Sequence, residues 1–259
     1  MSGGVRAATL ELAGQTAFVA GSTRGIGRAV ALDLARAGAR VAIHGRSAAG
    51  AAEVAAALTA VERHAGTFLA DLTEPAAVEN LVAEVTTALP ELDTVVLVAG
   101  ADVLTGAAAG WSFERKLEVL LQIDVTATMI LARGLGRWLK ERGRGVVITI
   151  GWDQAAVGME GDSGELFAAA KGAVMAFTRS LARSLGPDVR ANCVAPGWIK
   201  TAWGEQASDL WQRRAVRESM LRRWGTPEDV AGAVRWLASP AATFVTGQVI
   251  PVNGGFRRA

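Results

Sequence analysis

The chain has 259 residues, of which 51% are hydrophobic and 20% charged, so it is long enough to bury a sizeable core in one domain. Its 27 Lys and Arg residues barely outnumber its 25 Asp and Glu residues and are scattered, which argues against nucleic acid or a membrane as a partner. The single cysteine, Cys193, excludes an internal disulfide and suits a reducing cytoplasm.

Residues 1–12 lack the basic-then-apolar pattern of a signal peptide, and we predict a flexible N-terminal arm there. No apolar run reaches the roughly 18 residues that a membrane helix needs. Residues 13–259 are therefore expected to form one soluble, cytoplasmic domain.

Short apolar or β-branched runs alternate along the chain with longer segments of helical periodicity. The runs predicted as strands are residues 16–20, 40–44, 67–70, 94–99, 146–150, 190–194 and 249–252. The segments predicted as helices are residues 27–37, 51–64, 76–89 and 166–185. This alternation predicts an α/β fold: a single-domain, Rossmann-like, doubly wound parallel sheet of about seven strands with helices on both faces.

The segment 197–224 follows a predicted strand and is rich in Trp and charged residues. Such a segment, at the end of a strand in an α/β protein, is expected to act as a lid over the substrate cleft.

The first predicted strand leads into Gly21-Ser22-Thr23-Arg24-Gly25-Ile26-Gly27, which opens directly into a helix. Glycines at such a turn allow backbone N–H groups and the positive helix end to approach a pyrophosphate. They are also compatible with a tight strand-to-helix turn that needs glycine for steric reasons alone.

The GxxxGxG spacing of this loop resembles that of the short-chain dehydrogenase/reductase (SDR) family, and further motifs extend the resemblance along nearly the whole chain. Asp71-Leu72-Thr73 resembles the acidic turn that contacts adenine, and Val98-Ala99-Gly100 resembles the end of the NNAG motif. The run from Pro196 to Thr201 resembles the PGxxxT segment that wraps the nicotinamide. The resemblance implies cofactor-binding roles for Gly21, Thr23, Arg24, Gly25, Ile26, Gly27, Arg46, Asp71, Leu72, Ala99, Gly100, Lys171, Pro196, Gly197, Ile199 and Thr201.

The choice of cofactor follows from charge. A ribose 2′-hydroxyl is usually held by an acidic residue after the second strand, whereas a 2′-phosphate needs a cation. Arg46 stands after the second strand and Arg24 in the glycine loop, so NADP(H) is predicted in preference to NAD(H). Alternatively, both arginines are solvated surface charges.

The catalytic positions implied by the resemblance depart from the family pattern, in a chain that contains no tyrosine. Trp152 stands at the serine that binds a carbonyl oxygen, Phe167 at the tyrosine that protonates it, and Asp124 at the asparagine that holds a water. Lys171 is retained. A deliberate Tyr-to-Phe replacement would explain Phe167 alone, and neither Phe nor Trp can act as a general acid.

Carboxyl groups near these positions are candidate replacements for the missing acid, among them Asp153, Glu165 and Asp124 itself. Asp124 and Lys171 could equally form a plain ion pair. The stretch 162–165 also fits a helix start, with Asp162 or Ser163 as the cap.

Trp152, Trp198, Trp203 and Trp211 fall where the resemblance places the substrate cleft, which suggests a flat, apolar or polycyclic small-molecule substrate. Ordinary packing under the lid would explain the same residues. The two histidines, His44 and His64, form no metal-binding pattern, and no metal is expected.

Three functions remain compatible with the sequence. The first is an atypical NADP(H)-dependent oxidoreductase acting on a conjugated alkene, iminium or quinoid ring. The second is a non-redox enzyme such as a cyclase or isomerase, with the nucleotide as a scaffold. The third is a catalytically silent nucleotide-binding homologue. The resemblance also implies a homodimer or homotetramer formed through helices near residues 117–139 and 166–185.

Overall fold

In the computed structural model, which describes residues 10–256, seven parallel strands form one sheet in the order β3-β2-β1-β4-β5-β6-β7. The strands are β1 (Thr16–Ala20), β2 (Arg40–Gly45), β3 (His64–Leu69), β4 (Leu92–Leu97), β5 (Gly145–Ile150), β6 (Val189–Pro196) and β7 (Val249–Val252). Strand β1 is buried along its whole length and β4 everywhere except at Asp93, as expected for a parallel sheet covered on both faces. The predicted fold class is confirmed.

Nine α-helices connect the strands in the described part of the chain. They are α1 (Gly25–Arg36), α2 (Ala48–Ala60), α3 (Pro75–Ala88), α4 (Phe113–Leu120), α5 (Thr128–Glu141), α6 (Asp162–Leu185), α7 (Ala202–Gln206), α8 (Asp209–Glu218) and α9 (Pro227–Ala238). Short 3₁₀ helices cover Gly106–Gly110, Asp153–Ala156 and Pro240–Ala242, and a π-helix, Leu121–Ala127, joins α4 to α5.

The apolar core lies in two layers, one on each face of the sheet. One layer packs α1, α2 and α9 on the sheet, with Val30 and Val234 among its fully buried residues. The other packs α3, α5 and α6, with Leu81 and Leu135 fully buried. Burying these side chains is the main force that holds the helices on the sheet.

The strand order reverses between β1 and β4, which are direct neighbours in the sheet. Loops that leave the carboxyl ends of these two strands diverge and open a crevice, the usual ligand site of such sheets. The glycine loop follows β1 and Ala99 and Gly100 follow β4, so both lie at this crevice.

Several predicted boundaries were wrong. Helix α2 ends at Ala60 rather than at residue 64, because Glu62 adopts a left-handed φ of 56° and His64 begins β3. Helix α6 begins at Asp162 rather than at residue 166, and its N-cap is Gly161, with a φ of 85°, instead of Asp162 or Ser163.

The predicted flexible arm is also corrected in part. Residues 1–9 lie outside the described residues. Leu12, however, is buried at 1% exposure and donates its N–H to the Ala37 carbonyl, so the last part of the predicted arm packs beneath the sheet.

One helical stretch, Phe113–Glu141, is long and apolar enough to span a membrane by length and composition, contrary to the expectation from apolar runs. Leu131, Leu135 and Leu139 on this stretch are buried in the core layer formed with α3 and α6. The core helices of soluble proteins pass the same test, and 44% of the apolar window in this stretch is buried inside the described structure.

Candidate active site

The first turn of α1 is open to an anion. The N-cap residue Arg24 makes no side-chain cap to the helix, and the first turn of α1, which lies within the described residues, contains no acidic side chain. The N–H groups of this turn and the positive end of the helix therefore remain available for a phosphate.

The glycines of the loop are required by close contacts. A side chain at Gly27 would lie 1.9 Å from the Gly21 carbonyl oxygen, and one at Gly21 would lie 2.5 Å from the Ala99 Cα. Gly25 has a φ of 52° and faces the Thr201 methyl group, 3.7 Å from where its own Cβ would stand. The glycine loop, the end of β4 and the segment after β6 thus meet, as a nicotinamide dinucleotide site requires.

The two arginines assigned to the 2′-phosphate are both solvent-exposed. An Arg24 guanidinium nitrogen lies 3.8 Å from a carboxylate oxygen of Asp102. Arg46 lies near Asp71, whose pKa is lowered chiefly by the Thr73 backbone N–H and in smaller part by the Arg46 charge. Arg46 and Asp71 therefore lie together beside the crevice, while Leu72 is buried beneath them.

A residue that sequence reasoning did not assign to this site, His44, ties the glycine loop to the sheet. Its Nδ1 accepts the Gly21 N–H at 3.1 Å, and its Nε2 lies 3.2 Å from the Ala70 carbonyl oxygen. The only sequence signal was a polar residue after the apolar run of residues 41–43 in β2.

Lys171 on α6 and Asp124 on the π-helix form a close ion pair, with 2.7 Å between Lys171 Nζ and Asp124 Oδ1. The Asp124 side chain is only 1% exposed and that of Lys171 12%. Asp124 Oδ2 also accepts the Ala101 N–H at 2.8 Å. Of the two roles left open for Asp124, the ion pair is the one that the structure contains.

The π-helix Leu121–Ala127 explains how Asp124 reaches this position. A π-helical turn inserts an extra residue and redirects side chains, and such turns are frequent at functional sites. A side chain at Gly100 would come within 2.9 Å of Asp124 Oδ1, so the glycine after β4 makes room for the carboxylate.

Trp152 and Phe167 form an edge-to-face pair, with ring centroids 6.4 Å apart and an interplanar angle of 67°. Trp152 follows β5, and Phe167 lies one helical turn before Lys171 on α6. Phe167 also packs against a small apolar cluster that contains Val103, Leu120 and Ala170. Two of the predicted catalytic positions are therefore joined by aromatic contact rather than by a hydroxyl group.

Asp153, the residue after Trp152, is a partly buried carboxyl group. Its Oδ2 accepts a hydrogen bond from Asn253 Nδ2 at 3.0 Å and would lie 3.2 Å from a side chain at Gly197. Its Oδ1 is buried and has no hydrogen-bond partner within residues 10–256. Burial raises the pKa of Asp153 to about 6, and the Glu218 charge adds a smaller effect in the same direction.

Asp153 should make stability depend on pH. In the unfolded chain it ionises near its ordinary pKa of 3.8, whereas the folded protein retains the proton up to about pH 6. Because the folded state binds more protons in this window, Asp153 favours folding at low pH, and this contribution is lost as pH rises through about 6. As the pH is raised from 5 to 8, Asp153→Asn should therefore gain about 1 kcal/mol of stability relative to the wild-type protein.

Urea unfolding of both proteins at the two pH values measures this effect. Asn retains an oxygen that can accept the Asn253 hydrogen bond. Parallel pH profiles of the two proteins would show that Asp153 does not titrate in this range.

Trp198, Trp203 and Trp211 lie in a separate cluster, together with the unassigned Trp224. The Trp198 and Trp203 rings stack with centroids 5.9 Å apart, and Trp198 lies 5.4 Å from Trp211. These rings pack on one another within the segment predicted as a lid. Trp152 pairs with Phe167 instead, so the four expected cleft tryptophans do not form a single wall.

Arg214 on α8 connects this segment to the loop before α6. Its guanidinium bonds Glu160 at 2.6 Å and Glu218 at 2.7 Å, and it lies over the Trp211 ring at 5.0 Å. Trp198 Nε1 donates to Glu218 at 2.8 Å. Glu165, a predicted acid, is exposed in the first turn of α6.

Within residues 10–256, no cluster of three or more His, Cys, Asp or Glu side chains is arranged to hold a metal ion.

The sheet order, the glycine loop and the uncapped α1 define a Rossmann-type nucleotide-binding protein. Residues 20–257 match the family model described as Enoyl-(Acyl carrier protein) reductase. The chain is 34% identical over 266 residues to cyclohexanol dehydrogenase of Rhodococcus sp. (strain TK6). This match covers 95% of this chain and 97% of that protein. It is 32% identical over 255 residues to a 3-oxoacyl-(acyl-carrier-protein) reductase of Aquifex aeolicus (strain VF5), with 95% and 98% covered.

A crystal structure of 3-oxoacyl (acyl-carrier-protein) reductase from Agrobacterium tumefaciens C58 with NADP bound superimposes with a TM-score of 0.85. It is 30% identical in sequence, and the match covers 96% of both chains. The chain therefore belongs to the short-chain dehydrogenase/reductase family. The relatives named above are oxidoreductases.

Proposed function

We propose that the protein is an atypical NADP(H)-dependent oxidoreductase that reduces a flat, apolar or polycyclic acceptor without a tyrosine proton donor. One observation carries the proposal: the glycine loop opens into the uncapped first turn of α1, while Phe167 and Trp152, at the two catalytic positions, pair edge to face. The relative with NADP bound supports a nicotinamide cofactor.

The residues that would hold the cofactor are those of the glycine loop, Asp71, Ala99, Lys171 and the segment from Pro196 to Thr201. The open first turn of α1 fits a pyrophosphate, and the glycine contacts leave the backbone exposed to it. When bound, reduced nicotinamide supplies a hydride.

The kind of acceptor follows from what the site lacks. A saturated ketone needs a donor for the oxyanion that develops on its oxygen, and the side chains of Phe167 and Trp152 supply no hydroxyl. A conjugated alkene, iminium or quinoid ring delocalises or already neutralises the developing charge. Aromatic side chains such as this pair suit a flat substrate of that kind.

Asp153 is the carboxyl group that we propose as the proton source. Asp124 is held as the partner of Lys171 and of the Ala101 N–H, so its oxygens are occupied. Asp153 has a buried oxygen without a hydrogen-bond partner in the described chain and a pKa raised to about 6 by burial, so it exchanges a proton near neutral pH.

The preference for NADP(H) depends on Arg46. Replacing Arg46 with Ala should raise the Kd for NADPH roughly tenfold or more and leave the Kd for NADH almost unchanged, because a charge-assisted contact to the 2′-phosphate is lost. Tryptophan quenching and energy transfer to the reduced nicotinamide measure both constants. Arg24→Ala is the companion variant, since Asp102 already engages that guanidinium.

Equal loss of NADH and NADPH affinity in Arg46→Ala would assign Arg46 a general rather than a phosphate-specific role. Failure of the wild-type protein to bind either nucleotide would remove the redox function.

The reaction is tested by following nicotinamide absorbance with a panel that contains a cyclic enone, a quinone, a cyclic iminium ion and a saturated cyclic ketone. We expect turnover with one or more of the first three and little with the ketone. Ketone turnover at rates like those of the unsaturated compounds would contradict the proposal. We further propose that the protein acts in the cytoplasm as a homodimer or homotetramer.

A further inference from the structure

His44 is the penultimate residue of β2 and is buried, with 2% of its surface exposed. Both of its ring nitrogens are used. Because Nδ1 accepts the Gly21 N–H at 3.1 Å, the proton of the neutral ring resides on Nε2, which donates to the Ala70 carbonyl at 3.2 Å. The side chain therefore joins the ends of β1 and β3 across β2.

The backbone of His44 is tied to the same loop. Its N–H donates to Ser22 Oγ at 3.0 Å, and its carbonyl accepts the Ser22 N–H at 3.1 Å. A side chain at the next residue, Gly45, would lie 2.5 Å from the Thr23 methyl group, so β2 and the glycine loop are in close contact. Three consecutive loop residues are thus positioned by the end of β2.

The surroundings of the ring favour its neutral form. The β1 side presents the Phe18 ring, with centroids 6.5 Å apart, and the glycine-loop side presents Gly21 and Ser22. The β3 side contributes the Asp71 charge, with Arg46 beyond it. Burial lowers the pKa of His44, and this outweighs the opposing effects of the Ala70 carbonyl and Asp71.

We infer that His44 is a positioning residue for nucleotide binding: its neutral ring fixes the Gly21 N–H and the Ala70–Asp71 turn in the arrangement that receives the adenosine end. This inference rests on the nucleotide binding proposed above. His44 acts through the backbone that it holds and does not itself contact the cofactor.

The hydrogen bond to Gly21 is the decisive one. Gly21 begins the glycine loop, has a φ of 76° and packs against Ala99, so a small rotation of its peptide moves the whole loop. A backbone N–H that has lost its acceptor in a partly buried position tends to reorient toward another partner. The Ala70 bond anchors the opposite end of the ring and fixes its tautomer.

Two substitutions separate the two hydrogen bonds. Asn places its amide oxygen close to the position of Nδ1, so His44→Asn retains an acceptor for Gly21. Gln places its amide nitrogen close to the position of Nε2, so His44→Gln retains the donor to Ala70 and loses the Gly21 acceptor. The pair is therefore matched in polarity and differs in which contact survives.

The experiment is calorimetric titration of NADP⁺ and of adenosine 2′,5′-bisphosphate into the wild-type protein and both variants. His44→Gln should raise the Kd for both ligands about fivefold to tenfold. The Kd values of His44→Asn should stay within about twofold of those of the wild-type protein. Thermal unfolding establishes that both variants are folded at the temperature of the titration.

Nitrogen chemical shifts of the ring supply an independent signature. The chain has two histidines, so a His64→Gln variant assigns the signals of His44. We expect the neutral tautomer with the proton on Nε2, in the free protein and in the complex. A protonated ring, or a proton on Nδ1, at neutral pH would overturn the inference.

The binding outcomes distinguish this inference from the proposed function. Normal NADP⁺ binding by the wild-type protein together with equal affinities in His44→Gln and His44→Asn overturns the positioning role and leaves the proposed function intact. Failure of the wild-type protein to bind any nicotinamide nucleotide overturns both.

Discussion

Replacing Phe167 with Tyr and Trp152 with Ser together should raise the NADPH-dependent reduction of a simple cyclic ketone by about 10²- to 10⁴-fold over the wild-type protein. The double variant restores a hydroxyl that can protonate the carbonyl oxygen and a second hydroxyl that can hydrogen-bond to it. Lys171 already lies one helical turn from Phe167 on α6, although its ammonium group is paired with Asp124. The kcat/KM for ketone, measured with saturating NADPH, reports the gain.

The single variants are the controls. Phe167→Tyr adds an oxygen without changing the ring, whereas Trp152→Ser removes the edge-to-face contact and opens space beside Phe167. Each single variant should give a smaller gain in kcat/KM for the ketone than the double variant, because the two hydroxyl groups act on the same carbonyl oxygen. A double variant that folds, binds NADPH and gains no ketone activity would show that the pocket has been rebuilt around another reaction.

Asp124 sets a further condition on this gain. The ion pair holds Lys171 Nζ against the Asp124 carboxylate at 2.7 Å, whereas an asparagine at the same position would leave the ammonium free. Adding Asp124→Asn to the double variant therefore tests whether the lysine must be released before the restored tyrosine can work. A larger gain in the triple variant would show that Asp124, the third departure from the family pattern, limits the same ketone reduction as Phe167 and Trp152 do.

Much of the fold could be predicted because its signals are local. Runs such as those of β1 and β5 are short, apolar and β-branched, and each is buried on both faces. The errors arose where a backbone conformation overrides periodicity. The left-handed Glu62 ends α2 early, and α6, capped by Gly161, begins at Asp162, four residues before the predicted start.

The candidate site was predictable only through motif positions. Trp152 contacts Phe167 and Asp124 contacts Lys171. The sequence left the role of Asp124 open, because the π-helix that turns its carboxylate toward Lys171 has no clear sequence signature. His44 was missed because a polar residue near the end of a strand identifies no partner, and both ring nitrogens bond to backbone groups distant in sequence.

The tryptophans illustrate a different limit. Four of them were expected to line the cleft from their place in the chain, yet three pack with Trp224 and only Trp152 meets Phe167. Aromatic side chains favour edge-to-face and stacked contacts with one another, and composition cannot tell which rings will satisfy each other. The lid remains a prediction, with Arg214 bridging it to Glu160.

Asp124→Asn should lower the free energy of unfolding by about 3–5 kcal/mol, although the new side chain is nearly the same size. Lys171 is 12% exposed and Asp124 1%, so removing the carboxylate leaves an ammonium group largely excluded from water without its counter-charge. The amide oxygen of Asn can still accept the Ala101 N–H, which confines the loss mainly to the ion pair. Urea unfolding at pH 7 measures the change.

The exposed pair of Arg28 and Glu53 is the matched control, since its charged atoms are also 2.7 Å apart but its side chains are 42% and 77% exposed. Glu53→Gln should lower the free energy of unfolding by no more than about 1 kcal/mol, because solvent screens both partners. Lys171→Met alone should be strongly destabilising, and the double variant with Asp124→Asn should lose less than the sum of the single losses. If Asp124→Asn lowered the free energy of unfolding no more than Glu53→Gln does, the buried ion pair would contribute no more to stability than a surface ion pair. Lys171 would then be held in the site by its packing on α6 rather than by Asp124.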